Sequence, residues 1–194
     1  MLSGMADTTD LLTYLQRGRD AVLWKLDGAT EHDIRRPLTR TGTNLLGLVK
    51  HLAAVESGYL GLVFDRPFPE PIPWAGADVE ANADMWATPD QSRAELVDLY
   101  RRVSAHGDET VRLLGPDAEG SVPWWPGRGP VTVSFVLVHL IAETHRHAGH
   151  ADIVRELVDD SAGMSAANSN LPDGDRDWWA DYRGRVDGAA ERYR

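Results

Sequence analysis

Residues 133–158 read VSFVLVHLIAETHRHAGHADIVRELV, a run free of proline. Val136, Leu137, Leu140, Ile141, Ala148, Ala151 and Val154 recur at helical spacing, as on one buried face of a helix. The same helix carries His139, Glu143, His145, His147 and His150. Residues four apart share a helical face, so Glu143 and His147 aim at one spot. With His139 they form a continuous stripe. A buried Glu is costly unless it is paired or bound to a cation.

Three more helices precede it. The first is expected from about Thr8 to Asp27, capped by Asp7 or Thr8. Its stripe is Leu11, Leu12, Leu15, Val22, Leu23 and Leu26, and Gly28 stops it. The segment TEHDIRRPLTRTGTN reads as a short helical turn and a loop. The second helix starts near Thr43 or Asn44, reaches about Phe64 and carries His51. DRPFPEPIPWAGAD follows, whose four prolines exclude a helix interior or central strand. The third helix is expected to open at Thr88, with Pro89 at its first position, and to run to about Gly115. Leu96, Leu99, Tyr100, Val103, Val111 and Leu114 mark its buried face, and Gly107 weakens it mid-way. The loop GPDAEGSVPWWPGRGPVT leads into the fourth helix. After an irregular tail, a short helix is expected in DRDWWADYRGRVDGAAERYR. Four long amphipathic helices without a strand run mean an all-α fold, a four-helix bundle in a single domain over residues 1–194.

The chain has 20 basic and 30 acidic residues, a net charge of −10. That argues against nonspecific nucleic-acid binding, which needs basic patches on phosphate. No apolar run approaches the ~18 residues that suggest a membrane span. The N-terminus lacks the basic start and apolar stretch of a signal peptide. There is no cysteine, hence no disulfide, thiolate ligand or thiol nucleophile. The whole is consistent with a cytoplasmic protein.

His51 sits among Leu48, Val49, Leu52 and Val55, at the edge of a core face. A His from that helix, with Glu143 and His147, makes a three-donor metal site with a position left open. The competing reading is a solvated or salt-bridged stripe with no ion. His32 and His106 read as ordinary hydrogen-bonded side chains, and His145, off the stripe, as exposed.

Glu143-Thr-His-Arg-His147-Ala-Gly-His150-Ala-Asp152 resembles the fourth-helix motif of the DinB-like superfamily. So does His51 in the second helix, with Glu56 five residues on. Thr41-Gly42-Thr43-Asn44-Leu45-Leu46-Gly47-Leu48 looks like an actinobacterial branch of it. Described groups of it that the chain resembles are the mycothiol-dependent maleylpyruvate isomerases and the mycothiol and bacillithiol S-transferases. The resemblance runs over nearly the whole chain. It implies a four-helix bundle with a divalent metal, commonly zinc or nickel, held by the second and fourth helices. Many members use three His. This chain has Glu143 where the first fourth-helix His often stands, as maleylpyruvate isomerase-like members do. By position, the ligands are His51, Glu143 and His147. His139 is a candidate partner orienting Glu143, and His150 a candidate for a similar role or for the rim.

The resemblance also implies a low-molecular-weight thiol, mycothiol, as co-substrate, and a small electrophile as substrate. The expected activity is that of a thiol transferase or isomerase. A hydrolase or lyase using bound water, and a metal-binding stress protein without turnover, stay open. Trp74, Trp86, Trp124, Trp125, Arg128, Trp178 and Trp179 are the candidate substrate contacts, with Trp74, Trp125 and Arg128 foremost among them. Family members commonly form homodimers; no residue here names an interface.

Overall fold

The computed structural model describes residues 8–76 and 78–194. Among them the fold is all-α. Helix α1 spans Thr8–Trp24, α2 Glu31–Arg35, α3 Leu45–Tyr59, α4 Arg93–Leu114, α5 Val133–Asp159 and α6 Arg176–Ala190. Two short strands, β1 (Glu119–Gly120) and β2 (Val131–Thr132), pair antiparallel and close the loop between α4 and α5. No helix among the described residues is long and apolar enough to cross a membrane.

Local chemistry sets the helix ends. Asn44 caps α3 by accepting from the Gly47 N–H at 2.8 Å. The expected continuation of that helix to Phe64 does not occur. The chain leaves α3 after Tyr59, and Leu62–Phe64 form a separate 3₁₀ turn ended by Asp65 in the left-handed region. α4 does not open at Thr88. Residues 88–91 are a turn closed by the Gln91 N–H on the Thr88 carbonyl at 3.0 Å. The helix starts after Ser92, whose hydroxyl and the Glu95 carboxylate form a reciprocal capping box. Two first-turn donors are satisfied there, which Pro89 could not achieve. α1 ends at Trp24 rather than Asp27, because the next N–H groups bond three residues back, Leu26 to Leu23 and Asp27 to Trp24. Thr8 is already helical, and Asp7, the alternative cap, lies outside the described residues. α5 follows its expected course, capped by Thr132 accepting from the Phe135 N–H.

α1 packs chiefly on α5, and α3 on α4 and α5. Two apolar clusters result. One is built on Val22, Leu26, Ile34, Leu45, Leu52, Leu96 and Val154, the other on Leu15, Leu60, Val63, Val111, Val136 and Leu140. Each such side chain contributes about 1.5–3 kcal/mol when fully removed from water. Between the clusters lies a polar layer to which α1, α3, α4 and α5 give Arg19, Glu56, Ser104 and Thr144, all buried. Gly107 is where α4 meets the end of α3: a Cβ there would lie 2.9 Å from Leu60 Cδ1. The glycine that weakens the helical pattern is the one that permits this contact.

α6 is the exception to the packing. None of its residues is buried. Trp178 stacks on Tyr182 at 5.5 Å within the helix itself.

Candidate metal centre

α3 and α5 bring His51, Glu143 and His147 together. One donor atom from each lies within 4.8 Å of the other two. His147 Nε2 is 3.0 Å from Glu143 Oε1, and His51 Nε2 is 3.9 Å from the same oxygen. The two imidazole rings meet edge-on, with centroids 4.8 Å apart. The shared helical face of Glu143 and His147 supplies two donors. The packing of α3 on α5 supplies the third.

The far nitrogens of both imidazoles are engaged elsewhere. His51 Nδ1 is 2.6 Å from Asp84 Oδ2. His147 Nδ1 is 3.3 Å from His150 Nδ1. In each ring this leaves Nε2 facing Glu143. His147 is buried, and its pKa is held below the ordinary 6.5, chiefly by burial and then by His51. Its neutral, ligand-competent form is therefore favoured. His150 is exposed and reaches only the outer side of His147.

His139 does not make the expected contact. Glu143 Oε1 accepts from His147 Nε2. The His139 ring instead packs against Tyr59 at 4.7 Å and Trp125 at 5.0 Å. Its pKa is lowered, by burial first and by Arg128 to a smaller degree, against the pull of Glu143. His139 thus links the cluster to an aromatic wall of Tyr59, Trp124 and Trp125, where Trp124 Nε1 donates to the Tyr59 hydroxyl. The Arg128 guanidinium lies 4.5 Å from the centre of the Phe135 ring and 5.3 Å from that of Trp125.

The remaining sequence candidates are placed elsewhere. Trp74 packs on the core, with Lys50 Nζ over its ring. Trp86 is exposed, and its carbonyl accepts from Lys50. Trp178 and Trp179 lie on α6. His106 bonds the Arg66 carbonyl, an ordinary structural role, and His32 is at the surface beside Asp33. His145 is half-buried rather than exposed, because Gly18 of α1 lets α1 approach its ring. Glu56 belongs to a separate cluster. Arg19 grips its carboxylate, and the Tyr100 and Ser104 hydroxyls donate to it as well.

The mycothiol-S-transferase family profile matches residues 10–160. The chain belongs to this family. The match takes in α1 through α5, including His51, Glu143 and His147, and stops before α6. Comparison with curated proteins finds no match.

Asp84 was not foreseen from the sequence. It sits in ADVEANADMWATPD, among Asp78, Glu80 and Asp90, with no period or motif to single it out.

Proposed function

We propose that this chain is a mycothiol-type thiol S-transferase whose divalent cation is held by His51, Glu143 and His147. The observation that carries the reading is the convergence of three donor atoms within 4.8 Å, in a member of this family that has no cysteine of its own. The donor set fits such an ion. Donor separations of 3.0 and 3.9 Å bracket the roughly 3.4 Å between tetrahedral ligands at bond lengths near 2.1 Å. Two imidazoles and one carboxylate suit zinc first and nickel second.

A cation held there supplies the positive charge that keeps an incoming thiol deprotonated at neutral pH. The chain's own residues do the rest. His51 Nε2 faces the site, and His147 Nε2, bonded here to the Glu143 carboxylate, would release its proton to solvent to offer a lone pair to the ion. Glu143 offsets one unit of the cation's charge. Three protein donors would leave room for the co-substrate sulfur at an ion held there. Because the protein has no thiol, the nucleophilic sulfur arrives with mycothiol. It attacks an electrophilic carbon, an S–C bond forms, and a leaving group departs with its electron pair. With an unsaturated acceptor, reversible addition and loss of the thiol gives isomerisation instead. Tyr59, Trp125 and His139 pack together next to Glu143, with Arg128 over the Trp125 ring, and are the candidate substrate contacts. We propose further that residues 1–194 form one domain that acts in the cytoplasm.

The test is zinc titration of purified protein, followed by consumption of a bimane or haloaromatic electrophile with and without mycothiol. We expect consumption that needs both zinc and mycothiol. Glu143→Gln keeps the shape but loses the charge, so it weakens zinc binding and slows turnover. Equal turnover without any thiol would overturn the transferase reading and favour a hydrolase using bound water.

A further inference from the structure

Residues 84–91, ahead of α4, lie along the first two turns of α3, and the contacts are specific. Asn44 Nδ2 donates to the Met85 carbonyl at 3.0 Å. Gly47 faces the same carbonyl so closely that a Cβ would collide with it. Lys50 Nζ donates to the Trp86 carbonyl at 2.8 Å and to Gln91 Oε1 at 2.9 Å. From α2, Arg35 Nη2 donates to the Gln91 carbonyl at 2.7 Å. Asn44, Gly47, Lys50 and His51 lie at intervals that keep them along one side of α3. Residues 85–91 are thus pinned by buried side chains of that helix. Asp84 stands immediately before the pinned stretch.

Its carboxylate meets His51 Nδ1 at 2.6 Å, a short charge-assisted hydrogen bond. Both groups are largely shielded, with side-chain exposures of 26% and 19%. A carboxylate at that nitrogen can only accept. His51 therefore carries its proton on Nδ1, and its lone pair on Nε2. Nε2 is the atom 3.9 Å from Glu143.

We propose that Asp84 is a positioning residue of this centre. It fixes the ring orientation and tautomer of His51, and through it the loop between α3 and α4 becomes part of the metal site. The proposal rests on the metal reading above for its effect on affinity, but not for its effect on the tautomer. The two far nitrogens are held unequally. Asp84 is an ionisable acceptor from an anchored loop. His150 is an exposed imidazole at 3.3 Å. Loss of Asp84 should therefore cost more than loss of His150.

The experiment compares wild type, Asp84→Ala, Asp84→Asn and His150→Ala. Nitrogen-detected NMR of the metal-free proteins reads the His51 tautomer. Zinc competition with a chelator and the cobalt absorption spectrum read the site. Metal-free melting curves confirm that each variant is folded. We expect an Nδ1–H tautomer in wild type, its loss in Asp84→Ala, and zinc binding weakened roughly 10–100-fold. Asp84→Asn keeps an acceptor, so it retains the tautomer and falls between the two in affinity. It also serves as the readout if the Ala variant does not fold. An Asp84→Ala protein with wild-type tautomer, zinc affinity and cobalt spectrum overturns the proposal. If wild type binds neither zinc nor cobalt, the metal reading fails. The Nδ1–H tautomer, present in wild type and lost in Asp84→Ala, would then still support the positioning role.

Discussion

Glu56 and Glu143 sit on helices that touch, yet their surroundings are opposite. Glu56 is 1% exposed and receives hydrogen bonds from Arg19, Tyr100 and Ser104. Burial works against the Arg19 charge, but Glu56 outweighs it, with help from Asp108, and raises the Arg19 pKa. Burial, followed by the Glu56 charge, raises the Tyr100 pKa, so this hydroxyl stays protonated and donates. The Glu56 carboxylate and the Arg19 guanidinium both find partners in that cluster. Around Glu143 the balance differs: one carboxylate faces two Nε2 atoms whose rings are tied from behind by Asp84 and His150. Around Glu56, donors match the carboxylate and tie α1, α3 and α4 together. Around Glu143, one carboxylate and two imidazoles converge from α3 and α5, the set on which the proposed cation site rests.

The largest expected effect belongs to the histidines. The double change His51→Ala/His147→Ala should take bound zinc from about one equivalent to none, because a single carboxylate cannot retain the ion. Elemental analysis reads this, and unchanged zinc content would remove the distinction between the two clusters. Next comes Arg19→Ala, which leaves Glu56 buried without its cation. Urea denaturation of the metal-free protein should show a loss of about 3–5 kcal/mol. Zinc affinity of the folded fraction should stay within about threefold of wild type. A large fall in affinity with little loss of stability would mean that the two clusters are one.

Acidification sharpens the contrast more gently. Burial lowers the pKa of His147 and His139 below the ordinary 6.5 in the folded protein. The unfolded chain then binds more protons as pH falls, so stability is greatest above 6.5 and is lost as pH drops through the folded pKa values. Metal-free melting temperatures should fall from about pH 8 to about pH 5, and less steeply in His139→Gln. A flat profile would show that the histidine side is not strained by its burial. The smallest effect belongs to α6. Removing residues 171–194 takes away no buried side chain, so stability should change by less than about 0.5 kcal/mol, with zinc affinity unaltered. A larger loss in either would give α6 a role in the packing or in the site.

Much of this was legible in the chain itself. The period of apolar residues gives α1, α3, α4 and α5, and the four-residue spacing puts Glu143 and His147 on one face. The start of α4 was readable too, since Ser92 and Glu95 spell a capping box, but Pro89 offered a competing start. Glu56 follows His51 by five residues, about 140° around the helix, so its separation from the site follows from geometry. Asp84 could not be found in this way. It pairs with His51 across 33 positions, and only the pinning of residues 85–91 on α3 delivers it. The aromatic wall is hidden for the same reason, because Tyr59, Trp125 and His139 come from two helices and a loop.

The donors are not equally far apart along the chain. Glu143 and His147 are one helical turn apart on α5, so a growing polypeptide acquires a two-armed chelator as soon as that helix forms. His51, made nearly a hundred residues earlier, joins only when α3 docks. If the ion is held as proposed, its affinity reports how firmly α3 is docked on α5, so a core substitution that loosens that packing should weaken zinc binding without touching a donor.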